Sequence, residues 1–180
     1  MDMELLVNRM LRAAKLEPAV YEEVEADEGA LEQALAVVLI SSLAAGLGSL
    51  PAAGLGGLIV SVIGALLGWV VWAGIVYIIG TNLLPGQKTQ TDMPEMLRTL
   101  GFASAPGVIR VLGIIPGLGL LTALIASVWS LVAMVIAVRQ ALDYDTTGRA
   151  ILVCVIGWVA SLIVFGIVGA LFGGSLLATA

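Results

Sequence analysis

Histidine is absent from this chain, and cysteine occurs once. Metal sites lean on clusters of these two residues, so most of them are excluded. The imidazole bases that dominate acid–base and nucleophilic catalysis are excluded as well. A single cysteine forbids an internal disulfide, and Cys154 lies in an apolar run where a small core residue is expected. Only eight residues are cationic, and no dense basic patch marks a nucleic-acid surface. Of thirteen acids, nine fall between Asp2 and Glu32. The other four are Asp92, Glu95, Asp143 and Asp145, none of them inside a long apolar run. The start, Met1-Asp2-Met3-Glu4, lacks a basic segment leading into an apolar one. No cleavable signal peptide is therefore expected.

What the chain does have is three long runs without a charge: Leu58 to Gly80, Val111 to Val138 and Ala150 to Ala180. About 20 helical residues cross a bilayer core of about 30 Å, so each run is long enough. Hydrophobic types make up 60% of the chain, against roughly 45–50% in soluble domains. The solvent of this chain is lipid. The expected fold is an all-α, polytopic integral membrane bundle preceded by an amphipathic, acidic segment over residues 1–30.

Within that segment, Met3 to Leu16 reads as an amphipathic helix, with Leu6, Val7, Met10, Ala13 and Ala14 at helical spacing. It suits either the headgroup layer or a berth on the cytoplasmic ends of the spanning helices. Pro18 to Ala26 reads as a second short helix with a first-turn proline. The membrane domain, residues 31–180, divides into spans near 31–50, 57–80, 93–113, 118–138 and 150–173. The third is ambiguous by composition, because it holds Arg98, Pro106 and Arg110. Asp92 with Glu95 has the form of a capping box, so a helix starts there. That helix either spans or lies at the interface, leaving four spans. Cations decide. With five spans, Arg9, Arg12, Lys15, Lys88, Arg98, Arg139 and Arg149 share one side, and Arg110 alone takes the other. With four spans the split is six to two. Cations concentrate in cytoplasmic loops, which favours five spans, the amino terminus inside and the carboxyl terminus outside.

Helices in lipid associate through small residues. Gly64 and Gly68, four apart, and the series Gly166, Gly169 and Gly173 are the expected narrow faces, together with Ser127-x-x-Ser130. Packing within the bundle is expected of them ahead of homodimerisation. The serines Ser41, Ser42, Ser61, Ser127, Ser130 and Ser161 are expected to bond carbonyls one turn back rather than act as nucleophiles. Asp143 and Asp145 suit a solvated turn. No catalytic constellation, cofactor site or metal site is expected. Arg110 and Arg98 are the candidate lipid or partner contacts. A snorkelling position near a membrane face is the simplest berth for each, and an ionisable residue in a span is a functional candidate by default.

The segment Leu97-Arg98-Thr99-Leu100-Gly101-Phe102-Ala103-Ser104-Ala105-Pro106-Gly107-Val108 resembles the RxxGYAxAP stretch that opens the third span of the Yip family. These are membrane proteins first named for interacting with Ypt/Rab GTPases. Ala137 to Ala141, followed by Thr146 to Ile151, is similar to that family's loop between spans four and five. Leu16 to Asp27 is similar to the amino-terminal segment of bacterial members. The resemblance implies five spans and a cytoplasmic amino terminus. Eukaryotic members act in vesicle trafficking between endoplasmic reticulum and Golgi and bind Rab-type GTPases. Their DLYGP motif is absent here, so Rab binding is carried over to no residue. Bacterial members have no settled biochemical role.

The expected function is therefore non-enzymatic: a multi-pass protein of a bacterial inner membrane that organises membrane lipids or protein partners. An accessory subunit of a larger membrane complex is the alternative. A small channel, transporter or lipid scramblase is another, and it would need a polar path through the bundle.

Overall fold

A computed structural model describes the backbone of residues 2–177, and the side chains of these except 165 and 168–177. The chain is all helix among the described residues: α1 (Met3–Ala14), α2 (Pro18–Ala26), α3 (Ala30–Ile78), α4 (Met93–Phe102), α5 (Gly119–Ala141) and α6 (Thr147–Leu177). A π-helical turn, Ile79–Leu83, extends α3, and a 3-10 helix, Ala105–Ile114, follows α4. Three helices are long and apolar enough to cross a membrane: Ala30–Leu83, Gly119–Ala141 and Thr147–Val164. Counting α4 and the 3-10 helix as one bent span gives four. Large apolar side chains such as Leu55, Val60, Leu120, Val128 and Leu162 face outward. An outward apolar surface of this extent belongs in lipid. The protein is an integral membrane protein.

Ala30–Leu83 is 54 residues long, about 80 Å as a straight helix, far more than a bilayer. It is not straight. The expected stop at Pro51 is passed, since the chain stays helical for a few residues more and reverses at Gly54 (φ 61°, ψ −168°). Proline there removes one donor, but the reversal needs the conformation that only glycine adopts readily. The limb 55–78 then runs back along the limb 30–53. A Cβ on Gly46 would lie 3.0 Å from the Leu58 Cα, and the Ser61 hydroxyl donates to the Ser42 carbonyl at 3.3 Å. Gly54 has open space around it, so only its backbone matters. Gly54→Ala should destabilise the hairpin by about 1–3 kcal/mol, whereas Gly56→Ala, two residues on, should be close to neutral. Thermal melts of both variants in one detergent check this.

Contacts sort the helix ends into two groups. At one end, Thr89 Oγ1 donates to the Leu142 carbonyl at 2.6 Å and the Tyr144 hydroxyl donates to Leu84 O at 2.6 Å. Gln140 reaches Glu22 of α2 at 2.6 Å, and Lys88 pairs with Asp145 at 3.6 Å. The two aspartates of this loop are exposed, but Tyr144 between them is buried. At the other end, the bend at Pro51 and Ala52 faces the turn at Ile115, Pro116 and Gly117.

The amino-terminal layer is fixed by charge. Arg9 of α1 is only 4% exposed. Its Nε donates to Glu23 at 2.8 Å, and its Nη1 donates to Asp27 at 2.8 Å and to Gln33 at 3.0 Å. Arg12 donates to Glu23 at 2.5 Å and to Glu17 at 3.2 Å. The Trp129 indole of α5 donates to Ala14 O at 2.8 Å, while α1 itself packs mainly on the 3-10 helix and on α2, with Leu6 and Ala13 buried. Both berths expected for α1 leave out this contact halfway along α5. Met3, Val7 and Leu11 remain exposed.

These pairs set a pH window. Hydrogen bonds from Arg12 and Arg9 hold the Glu23 carboxyl below the usual range, and the bond from Arg9 does the same for Asp27. Burial pushes Glu25 up to about 7, with Asp143, Glu95 and Glu22 adding repulsion against the attraction of Arg98. A depressed carboxylate stabilises the fold above its unfolded pKa and ceases to do so as pH falls through the folded value. Glu25 acts oppositely. Between its unfolded value of 4.5 and about 7, the folded form keeps a proton that the unfolded form has lost, so stability declines as pH rises. The layer should be seated best at mildly acidic pH. Amide exchange across α2 should quicken from pH 5 to pH 8 beyond the intrinsic pH effect, and Glu25→Gln should remove that excess.

Candidate functional site

Pro106 organises the site. Its ring removes a donor and clashes with the carbonyl four residues back. Accordingly α4 stops at Phe102, and the chain resumes as a 3-10 helix inclined by 41°. The sequence reading of one helix over 93–113 is corrected to these two segments. The helix start is as expected: Asp92 N donates to Glu95 Oε2 at 2.9 Å, and Glu95 N donates to Asp92 Oδ1 at 2.8 Å. At the break, the Ser104 carbonyl accepts from the Ser41 hydroxyl of α3 at 2.9 Å. A 3-10 run of this length is unusual, and mid-helix 3-10 structure often marks a functional hinge or strain.

Three glycines let the bent span lie against α3. A Cβ on Gly101 would sit 2.7 Å from the Ala34 Cβ, and one on Gly107 would sit 3.6 Å from the Ser41 Cβ. A Cβ on Gly113 would lie 3.0 Å from the Gly48 carbonyl oxygen. On the facing side, a Cβ on Gly48 would overlap the Arg110 carbonyl oxygen. The contacts step by seven residues on α3 (34, 41, 48) and by six on the partner (101, 107, 113). Between Gly107 and Gly113 the partner is 3-10 helix, in which six residues make about two turns, as seven do in α3, so these two contacts stay in register; Gly101 lies in α4, before the break.

The glycines read from sequence as packing faces do not do this. A Cβ on Gly64, Gly68 or Gly166 would meet nothing within 4 Å. Gly169 and Gly173 lie outside the residues whose packing is described. Among the described residues the structure gives no close helix contact at Gly64 or Gly68: Gly64 is exposed, and Gly68 borders a cavity between helices rather than a neighbouring backbone.

Arg98 is no lipid contact either. It is 6% exposed, and its guanidinium donates to Val24 O at 3.1 Å and to Glu25 O. These are the last carbonyls of α2, where a cation also meets the negative end of the helix dipole. Arg98 is thus a clasp between α2 and α4.

Arg110 is different. Its side chain is half-buried, and its one hydrogen bond, 3.4 Å to the Ser127 hydroxyl, is long. No ion pair engages it among the described residues. It lines two cavities. The outer one, about 480 Å³, lies between the bend of α3 and the turn at Ile115–Gly117. The inner one, about 380 Å³, lies among α3, α4 and α5 and includes Trp69, Trp72, Leu100, Ser130 and Met134. Both tryptophans pack within the bundle, Trp69 donating to Leu97 O at 3.0 Å and Trp72 to the Met134 sulfur at 3.1 Å. Ser42, Ser61, Ser127 and Ser161 bond carbonyls three or four residues back. Ser130 does not: its buried hydroxyl has no partner. Among the described residues no group of three His, Cys, Asp or Glu side chains can hold a metal.

Sequence reasoning found Arg110 but not the cavities beside it. Pro106 was the available signal, since a break in a span frees polar backbone and opens space.

A family model described as the Yip1 domain matches residues 17–168. No curated protein and no solved structure matches the chain.

Proposed function

The chain belongs to the Yip1 domain family, and from that premise we propose that it is a five-span, non-enzymatic protein of a bacterial inner membrane that organises lipids or protein partners. Five passes are supported by the reversal of α3 at Gly54 and by the segregation of the helix ends. On that count the limbs 30–53 and 55–78, the bent span, α5 and α6 each cross once. The amino terminus is then cytoplasmic and the carboxyl terminus outside, by the cation rule.

One observation carries the functional reading. Arg9, Arg12 and Arg98 are engaged in internal contacts that fix the amino-terminal layer, whereas Arg110 faces two cavities without a counter-charge. This is the arrangement of a scaffold with a binding site, not of a reacting centre. A single-cysteine accessibility scan on a Cys154→Ser background tests the topology. Cysteines at positions 88 and 146 should label from the cytoplasm, and one at 116 from outside. A stoichiometric protein partner retained in mild detergent would favour the accessory-subunit reading instead.

A further inference from the structure

We propose that Arg110 and its two cavities bind one anionic phospholipid of the outer leaflet. The phosphate rests on the guanidinium, the headgroup fills the outer cavity, and one acyl chain enters the inner cavity. The proposal rests on the five-span reading for its leaflet and on the local geometry for its chemistry.

Charge complementarity comes first. Among the described residues, Arg110 is the only charged one lining either cavity. A guanidinium in an apolar setting requires an anion, and its planar fork of donors matches phosphate oxygens. No carboxylate lines either cavity to receive an ammonium group. A headgroup with a net negative charge and no amine therefore fits better than a zwitterionic one.

Position comes second. The Arg110 carbonyl is pinned against Gly48, and a Cβ on Gly107 would lie 2.8 Å from Arg110 Nη1. Glycine at 107 thus leaves the guanidinium room to lie across the helix. The base of this side chain is held, which lowers the ordering cost of binding.

The inner cavity supplies the third argument. Its lining is mainly apolar, from Val38, Ala65, Trp69, Trp72 and Leu100, as an acyl chain requires. It also holds the Ser130 hydroxyl, a buried donor without a partner. Such a donor is costly to leave unmade, and a lipid ester carbonyl entering beside Arg110 would accept from it. A free phosphate would satisfy Arg110 but leave the inner cavity and Ser130 untouched, so the occupant is an amphiphile.

The test uses the full chain in a neutral detergent, with phosphatidylglycerol or phosphatidylcholine added and retained lipid counted by native mass spectrometry. Wild type should hold one phosphatidylglycerol and retain little phosphatidylcholine. Arg110→Gln should lower phosphatidylglycerol retention about ten-fold or more, the loss of a charge-assisted pair, with Arg110→Lys intermediate. Gly68 lines the inner cavity and has open space at its Cβ. Gly68→Leu should therefore fill the cavity and lower retention without lowering the melting temperature. Equal retention in wild type, Arg110→Gln and Gly68→Leu overturns the proposal. Full displacement by an excess of glycerol phosphate overturns the amphiphile in favour of a phosphate site. Pro116→Cys, on the Cys154→Ser background, separates the two readings. Labelling from the cytoplasm overturns the orientation and the outer leaflet, whatever the lipid counts show.

Discussion

Gly48→Ala is expected to destabilise the bundle by about 3 kcal/mol, the upper end of the usual cost of overpacking. The new methyl would overlap the Arg110 carbonyl oxygen and approach Gly113 Cα at 3.6 Å. Backbone cannot swing aside as a side chain can, so two segments must separate. Their separation breaks the register of Gly101, Gly107 and Gly113 along α3 and moves Arg110. Gly64→Leu is the contrast. A Cβ there meets nothing within 4 Å, and leucine is the better helix former, so its melt should match the wild type or exceed it. Thermal unfolding of both variants in the same detergent decides. A large loss at Gly64 with none at Gly48 would mean that the bent span packs elsewhere.

Arg9→Met should release the amino-terminal layer. Arg9 is buried at 4% exposure and carries three hydrogen bonds, to Glu23, Asp27 and Gln33. Bonds to charged groups contribute roughly 1.5–3 kcal/mol each. Here the carboxylates are 37% and 38% exposed, so solvent screens them, and about 2–3 kcal/mol in all is expected. Methionine keeps the apolar stem, so the loss reports charge rather than volume. Limited proteolysis should then cut within residues 3–26 while the spanning helices stay intact. Arg12→Met should do less, because Arg12 is more exposed and its partner Glu23 keeps its bond to Arg9. Protection of residues 3–26 in Arg9→Met equal to wild type would show that Trp129 and the apolar contacts alone hold α1.

Much of the fold was legible because lipid imposes simple rules. Uncharged length gave apolar helices long enough to cross a membrane, and Asp92 with Glu95 gave a helix start. Pro18 gave the start of α2. Glycine was misread for a physical reason. Gly64 and Gly68 satisfy a helical spacing, but spacing alone does not say which face meets protein. Gly107 and Gly113, which do meet α3, are six apart, a spacing with no meaning at 3.6 residues per turn. It becomes two turns only where the helix tightens to 3.0 residues per turn, and that follows from Pro106. Arg98 and Arg110, twelve residues apart, were both candidate contacts by sequence. Neighbours separate them: α2 offers Arg98 two carbonyls, and nothing offers Arg110 a counter-charge.

By itself, the sequence determined the solvent, the helical class, the family resemblance and the scarcity of reactive groups, since these depend on composition and on order along the chain. Only the tertiary structure decided the reversal at Gly54, the docking of α1 on the 3-10 helix, the closely packed glycines and the two cavities. Each of those depends on which side chains and carbonyls face one another across helices, and distances between remote residues are not written in the order of the chain.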